Sequence, residues 1–182
     1  MVTYRLDTTS GKLKPANPSS GRIHAGAAPR HLAFGKTGRF AYVNGEADMT
    51  IAACIYDPQT GTLQEFQSLS TLPEGASGGN LSTAEIEVSP AGHFVYVSNR
   101  GHDSIAIFAI DADTGALTPR GHAPPGGRTP RNFAISARGD RLYAANQESD
   151  SIVHFDINPS TGELTPNGEV TLVGAPVCVL FS

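Results

Sequence analysis

The chain has 182 residues, of which 39% are hydrophobic and 16% are charged, and its formal net charge is −4. This length and composition fit a globular protein with one sizeable core. The mildly negative charge gives no basic footprint, so nucleic acid is a poor candidate partner. No apolar run is long enough to cross a membrane and the N-terminus lacks the apolar segment of a signal peptide, so we expect no membrane partner.

The two cysteines, Cys54 and Cys178, are far apart in the sequence and neither belongs to a metal-type pair. Two isolated thiols in a chain of this size are typical of small buried residues in a reducing compartment. We therefore expect both side chains to be buried and the protein to be cytoplasmic.

An internal repeat organises the chain. A turn of the form Ser/Thr-Gly-x-Leu occurs four times, and its glycines lie 50, 54 and 47 residues apart, at Gly11, Gly61, Gly115 and Gly162. Three tyrosines repeat the last two spacings, at Tyr42, Tyr96 and Tyr143. The dipeptides that begin a β-rich run repeat them as well, at Pro29-Arg30, Thr83-Ala84 and Pro130-Arg131. Independent markers in one register indicate a repeated structural unit.

Each unit contains about four short runs of β-type sequence, separated by Pro, Gly, Asp and Asn, and no convincing helix. The first strands are predicted at 30–34, 84–88 and 131–135. The second strands are predicted at 40–44, 94–98 and 141–145, the third at 50–56, 104–110 and 151–157, and a fourth follows each Ser/Thr-Gly-x-Leu turn. Four-stranded units of this length predict an all-β fold, a β-propeller of antiparallel blades. A Greek-key sandwich is the competing architecture, but its strands would not repeat in register.

The repeat divides a single propeller domain into segments. Residues 1–25 are predicted to form the outer strands of a partial blade, and residues 174–182 the inner strand of another. Three full blades lie between them, at 26–79, 80–126 and 127–173. Three full and two partial blades do not close a ring, and open sheet edges invite pairing with another chain. We therefore expect an incomplete ring that is completed by self-association as a homodimer or by a missing N-terminal half.

Charged and polar residues occupy equivalent positions in the three blades while the neighbouring core positions stay apolar. The first strands begin with Arg30-His31, Ala84-Glu85 and Arg131-Asn132, and the second strands end at Glu46, Arg100 and Gln147. In an antiparallel blade these two places lie on the same rim, so the residues are expected to converge at one mouth of the central channel. Arginines and carboxylates there suit an anionic, oxygen-rich ligand, although bracing of loops by the arginines remains the alternative. The histidines show no metal-ligand spacing, so no metal is expected.

The segments that contain these residues resemble a known family. They are Pro29-Arg30-His31-Leu32-Ala33-Phe34, Tyr96-Val97-Ser98-Asn99-Arg100-Gly101 and Thr129-Pro130-Arg131-Asn132-Phe133. They are similar to the lactonase family of seven-bladed β-propellers, which includes 6-phosphogluconolactonases and the fungal carboxy-cis,cis-muconate lactonizing enzyme. The resemblance runs from about Thr3 to Phe181 and corresponds to the C-terminal half of such a protein.

The resemblance implies a site at the channel mouth that uses neither metal nor cofactor. It assigns catalytic roles to Arg30, Glu46 and Arg100. The family also places a histidine in its N-terminal half, which this chain does not contain, and an asparagine-type residue where this chain has Gly45. The implied activity is hydrolysis of a small anionic lactone such as 6-phosphogluconolactone, with the arginines holding phosphate or oxyanion and Glu46 as general base. Six further rim residues are expected to bind the substrate, namely His31, Glu85, Arg131, Asn132, Asn99 and Gln147.

Two alternatives remain open from the sequence. One keeps the scaffold and changes the reaction to cyclisation of a carboxy-muconate, which is also a small polyanion. The other is a non-catalytic propeller fragment or assembly scaffold.

Overall fold

The fold is described here from a computed structural model, which covers residues 1–76 and 78–181; Ser77 and Ser182 lie outside the described residues. Over these residues the chain is built from fourteen β-strands and one turn of 3₁₀-helix, Gln147–Ser149. Within the described part of the chain, no helix is long and apolar enough to cross a membrane.

The strands follow the repeat in chain order. The partial blade at the N-terminus has two strands, β1 (Val2–Asp7) and β2 (Lys12–Ser20). The first full blade consists of β3 (Pro29–Phe34), β4 (Phe40–Gly45), β5 (Thr50–Asp57) and β6 (Thr62–Ser70). The second consists of β7 (Ser82–Val88), β8 (Phe94–Arg100), β9 (Ser104–Ile110) and β10 (Leu117–Ala123). The third consists of β11 (Pro130–Ile135), β12 (Arg141–Asn146), β13 (Ser151–Ile157) and β14 (Leu164–Leu172).

Each full blade is an antiparallel meander in which sequential strands are neighbours, in the order β3-β4-β5-β6 in the first blade and likewise in the other two. The strands β1 and β2 form a separate two-stranded sheet. The four sheets do not close into a ring. The all-β prediction and the four-stranded antiparallel blades are therefore confirmed, with the first three strands of each full blade within two residues of their predicted bounds.

The first strands of successive blades lie beside one another, since β3 contacts β7 and β7 contacts β11. The apolar core fills the space between the blades. Its largest fully buried side chains include those of Tyr42, Tyr96, Phe108, Phe133 and Phe155. The central strands β4, β8 and β9 are buried along nearly their whole length, because each blade has two faces that its neighbours cover.

A contact between a tyrosine and a turn glycine joins each blade to the next. The Tyr42 hydroxyl donates to the Gly115 carbonyl at 3.1 Å, and the Tyr96 hydroxyl donates to the Gly162 carbonyl at 2.9 Å. Gly162 has φ of +77°, and a Cβ built there would lie 2.6 Å from Cδ1 of Phe94. The turn thus needs glycine both for its backbone conformation and for the close approach of the preceding blade. This contact explains why the tyrosines and the turns share one spacing.

The last segment differs from expectation. Residues 174–181, predicted as an inner strand, form no strand in the structure. They run beside the third blade, where the Val179 amide donates to Oδ1 of Asn132 and the ring of Phe181 lies 5.1 Å from that of Tyr143. Cys54 is buried as predicted, but the prediction of burial is wrong for Cys178, which is exposed. A strand is formed by backbone hydrogen bonds to a neighbouring strand, whereas the described residues of this segment contact side chains of the third blade instead.

A carboxyl group is half-buried between two first strands. Glu87 lies on β7, two residues beyond Glu85, and its Oε2 accepts a hydrogen bond of 2.9 Å from the amide of Ile135 on β11. Burial raises the pKa of Glu87 from 4.5 to about 7; the Ile135 amide opposes this shift and the charge of Glu85 adds to it. The folded protein therefore binds this proton more tightly than the unfolded chain does.

The contact at Gly162 predicts a large effect of a single methyl group. Gly162→Ala should lower the free energy of unfolding by about 1–3 kcal/mol more than Gly168→Ala, because only the former adds overpacking to the strain of a positive φ. Gly168 is the matched control, since its φ is +88° and a Cβ built there meets no atom within 4 Å. Urea denaturation of both variants measures the difference, and equal losses would contradict the role of the turn.

Glu87 predicts a pH-dependent stability. The pKa of Glu87 is higher in the folded protein than in the unfolded chain, so protonation of this group favours the folded state. The contribution of Glu87 to the free energy of unfolding therefore falls as pH rises from 4.5 towards 7 and remains lost above that range. Glu87→Gln should leave stability nearly unchanged at pH 4 and raise it at pH 8 by on the order of 1 kcal/mol, since the amide keeps an acceptor for Ile135 without a charge. Glu148→Gln, at an exposed glutamate, is the control. The same effect of Glu87→Gln at both pH values would disprove the burial of the charge.

Candidate functional site

The predicted site residues come from two places in each blade that lie opposite one another. Pro29 pairs with Gly45, Ser82 pairs with Arg100, and Pro130 pairs with Asn146. The beginning of each first strand is therefore next to the end of the second strand. As expected from an antiparallel blade, the residues that follow these positions share one rim.

A β-bulge interrupts the register near the beginning of each first strand. The register shifts between Pro29 and Leu32 in β3 and between Thr83 and Ile86 in β7. Such a bulge leaves a backbone amide outside the ladder. Side chains accept these amides: Oδ1 of Asn44 accepts from the amide of His31 at 2.8 Å. Oγ of Ser98 likewise accepts from the amide of Glu85 at 2.9 Å. The bulges are thus fixed by hydrogen bonds within each blade.

The three residues predicted to be catalytic form one cluster, Arg30, Glu46 and Arg100. Nη2 of Arg100 donates to Oε1 of Glu46, and Nε of Arg30 lies 3.7 Å from the same oxygen. The side chains of Arg30 and Arg100 are 18% and 16% exposed, whereas that of Glu46 is 41% exposed. The arginines are thus buried rather than solvated, and ion pairs of this kind hold their geometry well.

Backbone carbonyls fix the two arginines across the boundary between blades. Nη1 of Arg30 donates to the carbonyl of Ala84 at 2.6 Å, and Nη2 of Arg100 donates to the carbonyl of Thr83 at 3.2 Å. Nε of Arg100 is buried and has no hydrogen-bond partner among residues 1–76 and 78–181. The guanidinium groups are therefore held in place with donor capacity left over.

The electrostatics of the cluster favour an anion. Burial lowers the pKa of Arg30, and the neighbouring charges of Arg100 and Arg131 lower it further, while Glu46 and Glu85 act in the opposite sense. Three guanidinium groups thus influence one another in a partly dehydrated place that holds two carboxylates. An anionic ligand would relieve this repulsion.

A second group of rim residues forms a chain of contacts across three first strands. Nδ1 of His31 lies 2.6 Å from Oε1 of Glu85, and Nδ2 of Asn132 donates to Oε2 of the same carboxylate. These three residues occupy equivalent positions in β3, β7 and β11. The structure therefore brings these three predicted residues together, with Glu85 in contact with the other two.

The remaining predicted residues lie in different surroundings. Arg131 is half-buried and takes part in none of the ion pairs of the described residues. Gln147 lies at the start of the 3₁₀-turn, where its amide donates to the Thr129 carbonyl at 3.0 Å. Asn99 is fully buried within its blade, and its carboxamide bonds to Thr71 and Ser104. The side chain of Asn99 is therefore not part of the rim cluster.

Gly45 stands where an asparagine-type residue was expected, and the structure gives the reason. A Cβ built at Gly45 would lie 2.3 Å from Oδ1 of Asp48 and 2.6 Å from Oγ1 of Thr50. In the other blades the equivalent residues, Asn99 and Asn146, fill this space and donate to carbonyls of the preceding loop. In the first blade Asp48 and Thr50 occupy the space instead.

Asp48 belongs to a cluster that sequence analysis missed. Nε2 of His24 lies 2.7 Å from Oδ2 of Asp48, and Nδ1 lies 2.9 Å from Oε1 of Glu65. The hydrogen bond to Asp48 raises the pKa of His24, burial opposes it, and Glu65 adds to the rise. The three residues are far apart in sequence and belong to no motif, so no sequence signal indicated them. Within the described residues, no group of three or more His, Cys, Asp and Glu has the arrangement of a metal site.

Known proteins of similar sequence are members of a family of seven-bladed propellers. The profile of the family described as "Lactonase, 7-bladed beta-propeller" matches residues 1–181. The 6-phosphogluconolactonase of Bacillus subtilis is 37% identical over 135 residues, which are 74% of this chain and 37% of that protein. The 6-phosphogluconolactonase of Pectobacterium carotovorum is 36% identical over 132 residues, 72% of this chain and 39% of that protein.

A solved structure of a lactonase is also similar to this chain. The periplasmic gluconolactonase of Pseudomonas aeruginosa superimposes with a TM-score of 0.88 at 30% identity, over 96% of this chain and 48% of that one. This chain thus spans less than half the length of these relatives. The resemblance inferred from the rim segments is confirmed by these similarities, which extend over most of the chain, and the chain belongs to the lactonase family of seven-bladed β-propellers.

Proposed function

We propose that the rim cluster hydrolyses a sugar-acid lactone such as 6-phosphogluconolactone. The observation that carries this proposal is the cluster of Arg30, Glu46 and Arg100, which combines two largely buried guanidinium groups with a carboxylate at an accessible place. The relatives named as lactonases support it, and they favour hydrolysis over cyclisation of a carboxy-muconate. A phosphorylated aldonolactone has the negative charge and the oxygen atoms that such a cluster recognises.

Hydrolysis of a lactone needs a polarised carbonyl group, an activated water molecule and a means of holding the substrate. Arg30 and Arg100 supply fixed donors for the oxyanion that develops on the carbonyl oxygen, or for the phosphate. Their positions are set in advance by the carbonyls of Ala84 and Thr83, so little reorganisation is needed when the charge develops. Arg131, Gln147 and His31 complete the surface that contacts the substrate.

Glu46 is the general base in this scheme. Its Oε1 is held by the two arginines, and the carboxylate is the most exposed member of the cluster. Oε2 is then the oxygen that accepts a proton from water as the water attacks the carbonyl carbon. The ion pairs fix the carboxylate so that this oxygen points in a constant direction.

The open sides of the half-ring are proposed to pair with further propeller blades. Exposed apolar side chains lie at both ends, among them Leu13 (62% exposed) on β2 and Leu180 (88% exposed) in the last segment. Tyr143 is the equivalent of the tyrosines that donate to a turn glycine of the next blade, and the turn at Gly11 has the form of those that accept. A second copy of the chain could therefore place its Gly11 turn against Tyr143 and extend the ring; the blades of a longer polypeptide are the other source.

We also propose a cytoplasmic location. The support is the presence of two free thiols, Cys54 and Cys178, which suit a reducing compartment. The relative from Pseudomonas aeruginosa is described as periplasmic, so the proposal concerns this chain alone.

The role of Glu46 predicts a specific loss of turnover. Glu46→Gln should lower kcat for 6-phosphogluconolactone by about 10²–10⁴-fold, because the amide accepts the hydrogen bond from Arg100 but cannot take a proton from water. The measurement is the rate of acid release, corrected for spontaneous hydrolysis in buffer. Glu163→Gln, at an exposed glutamate on a distant turn, should keep the wild-type rate. Retained turnover in a folded Glu46→Gln variant would rule out this base.

Pairing of the open sides predicts a defined mass in solution. Light scattering should give about twice the 19.0 kDa of one chain, because two half-rings cover each other's apolar ends. Leu180→Asp should shift the mass towards that of one chain, whereas Ile55→Asp, at an exposed apolar residue of a full blade, should not. A single-chain mass at every protein concentration would exclude the second copy and leave a longer polypeptide as the source of further blades.

A further inference from the structure

The contacts of His31 assign it a chemical role. We propose that His31 is the proton donor to the ring oxygen of the lactone, and that Glu85 and Asn132 are positioning residues that act through it. This inference rests on the hydrolysis proposed above and adds to it the group that assists departure of the ring oxygen. Three features of the structure lead to it: the ionised form of Glu85, the tautomer of His31 and the position of Arg30. The fourth step of the argument is that the reaction needs a proton at the ring oxygen.

Glu85 is surrounded by hydrogen-bond donors. Its Oε1 accepts from the amide of Ile86 at 3.1 Å, and its Oε2 accepts from Nδ2 of Asn132. Its side chain is 11% exposed, and its own amide is fixed by Ser98. A carboxyl group that meets donors at both oxygens in a buried place is held as a carboxylate, which can only accept.

The state of Glu85 fixes the tautomer of His31. Nδ1 of His31 lies 2.6 Å from Oε1 of Glu85, and a carboxylate has no proton to donate. Nδ1 must therefore carry the hydrogen of this bond, and Nε2 is the nitrogen that remains for chemistry. The ring is 42% exposed, so Nε2 is open to a ligand while Nδ1 is anchored to a buried partner.

Arg30 lies over the face of the imidazole ring. Its Nη1 is 3.1 Å from Nε2 and 3.4 Å from Nδ1 of His31. A nitrogen almost equally distant from both ring nitrogens cannot lie along either of their in-plane directions, so Nη1 lies over the face of the ring. The in-plane direction of Nε2 is thereby left free. His31 is held next to the arginine that contacts the lactone, with Glu85 in the ring plane to offset the positive charge of Arg30.

The reaction needs a proton at a second place. Water adds to the carbonyl carbon and gives a proton to Glu46, and the tetrahedral intermediate then breaks its bond to the ring oxygen. The electron pair of that bond goes to the ring oxygen, which would leave as an alkoxide unless it is protonated. The imidazolium of His31 donates the proton from Nε2 and becomes neutral. Glu46 and the new carboxylic acid lose their protons to solvent, and His31 regains one, so that lactone and water give a hydroxy acid anion and one proton.

Asn132 extends the positioning to the next segment of the chain. Its Nδ2 holds Glu85, and its Oδ1 accepts from the amide of Val179 at 2.7 Å. His31, Glu85 and Asn132 are equivalent residues of successive blades, so each blade fixes the residue of the blade before it. In this way a polar chain along the rim keeps the imidazole in one orientation, which a lone histidine on a strand would not have.

The test compares Glu85→Gln with a matched pair outside the site. His154 and Glu169 also pair, with Nδ1 and Oε2 at 3.1 Å, on outer strands, so Glu169→Gln removes the same kind of charge without touching the rim. The measurements are kcat and KM for 6-phosphogluconolactone and the nitrogen-15 NMR spectrum of the histidine rings, which reports which ring nitrogen carries the proton.

Glu85→Gln should lower kcat about 10–100-fold with little change in KM. In this variant the neutral ring of His31 should no longer keep its proton on Nδ1 alone, because a carboxamide can donate to that nitrogen as well as accept from it. His31→Gln should lose more activity than Glu85→Gln. Glu169→Gln should leave kcat unchanged and alter only the NMR signals of His154.

An unchanged kcat and an unchanged His31 tautomer in Glu85→Gln would overturn the proposal while leaving lactone hydrolysis by Glu46 intact. A His31 ring without a proton on Nδ1 in the wild-type NMR spectrum would overturn it as well. Absence of lactone turnover by the wild-type protein would overturn the proposed function and, with it, the role of His31. The NMR spectrum then still reports whether the pair of His31 and Glu85 exists, so the two failures are distinguishable.

Discussion

The contact between successive blades is the constraint on which the rest of this structure depends. Each four-stranded sheet has two apolar faces that only its neighbours cover, and at one edge a tyrosine hydroxyl meets the carbonyl of a turn glycine, as Tyr96 meets Gly162. This contact fixes each turn against the tyrosine of the preceding blade, although the turns at Gly61, Gly115 and Gly162 lie 54 and 47 residues apart. The opposite edge is bound by polar contacts instead, such as that of Arg100 with Glu46. The contacts that join the blades and the residues of the proposed site therefore lie in different parts of the same blades.

The repeat made most of the fold predictable from the sequence. Alternating apolar residues and turn glycines are local signals, and the bounds of the inner strands followed from them directly. The same alignment placed Arg30, Glu46 and Arg100 on one rim, because an antiparallel pair brings the start of one strand to the end of the next. A repeat therefore indicates relative position in space as well as local structure, and a single non-repeating strand would not have done so.

The alignment of the repeats did not predict which side chains contact one another. Asn99 and Arg100 are adjacent, yet one is buried in its blade and the other lies in the cluster, since neighbouring residues of a strand point to opposite sides. The grouping of His24 with Asp48 and Glu65 joins residues far apart in sequence. Residues 174–181 have strand-like sequence, yet they contact the third blade through Asn132 and Tyr143 and form no strand among the described residues. In each case the outcome depends on contacts with distant parts of the chain.

The two groups of rim residues meet at Arg30. Its Nε approaches Glu46, its Nη1 lies over His31, and a hydrogen bond to the Ala84 carbonyl holds it at the boundary between two blades. Lactone hydrolysis needs a base beside the attacking water and an acid beside the ring oxygen. In the tetrahedral intermediate the oxygen of the water and the ring oxygen are bonded to the same carbon, so the base and the acid must lie close together. One buried guanidinium in contact with both groups therefore sets their separation. Blade packing fixes that guanidinium, so the geometry of the proposed chemistry is inherited from the spacing of the repeat.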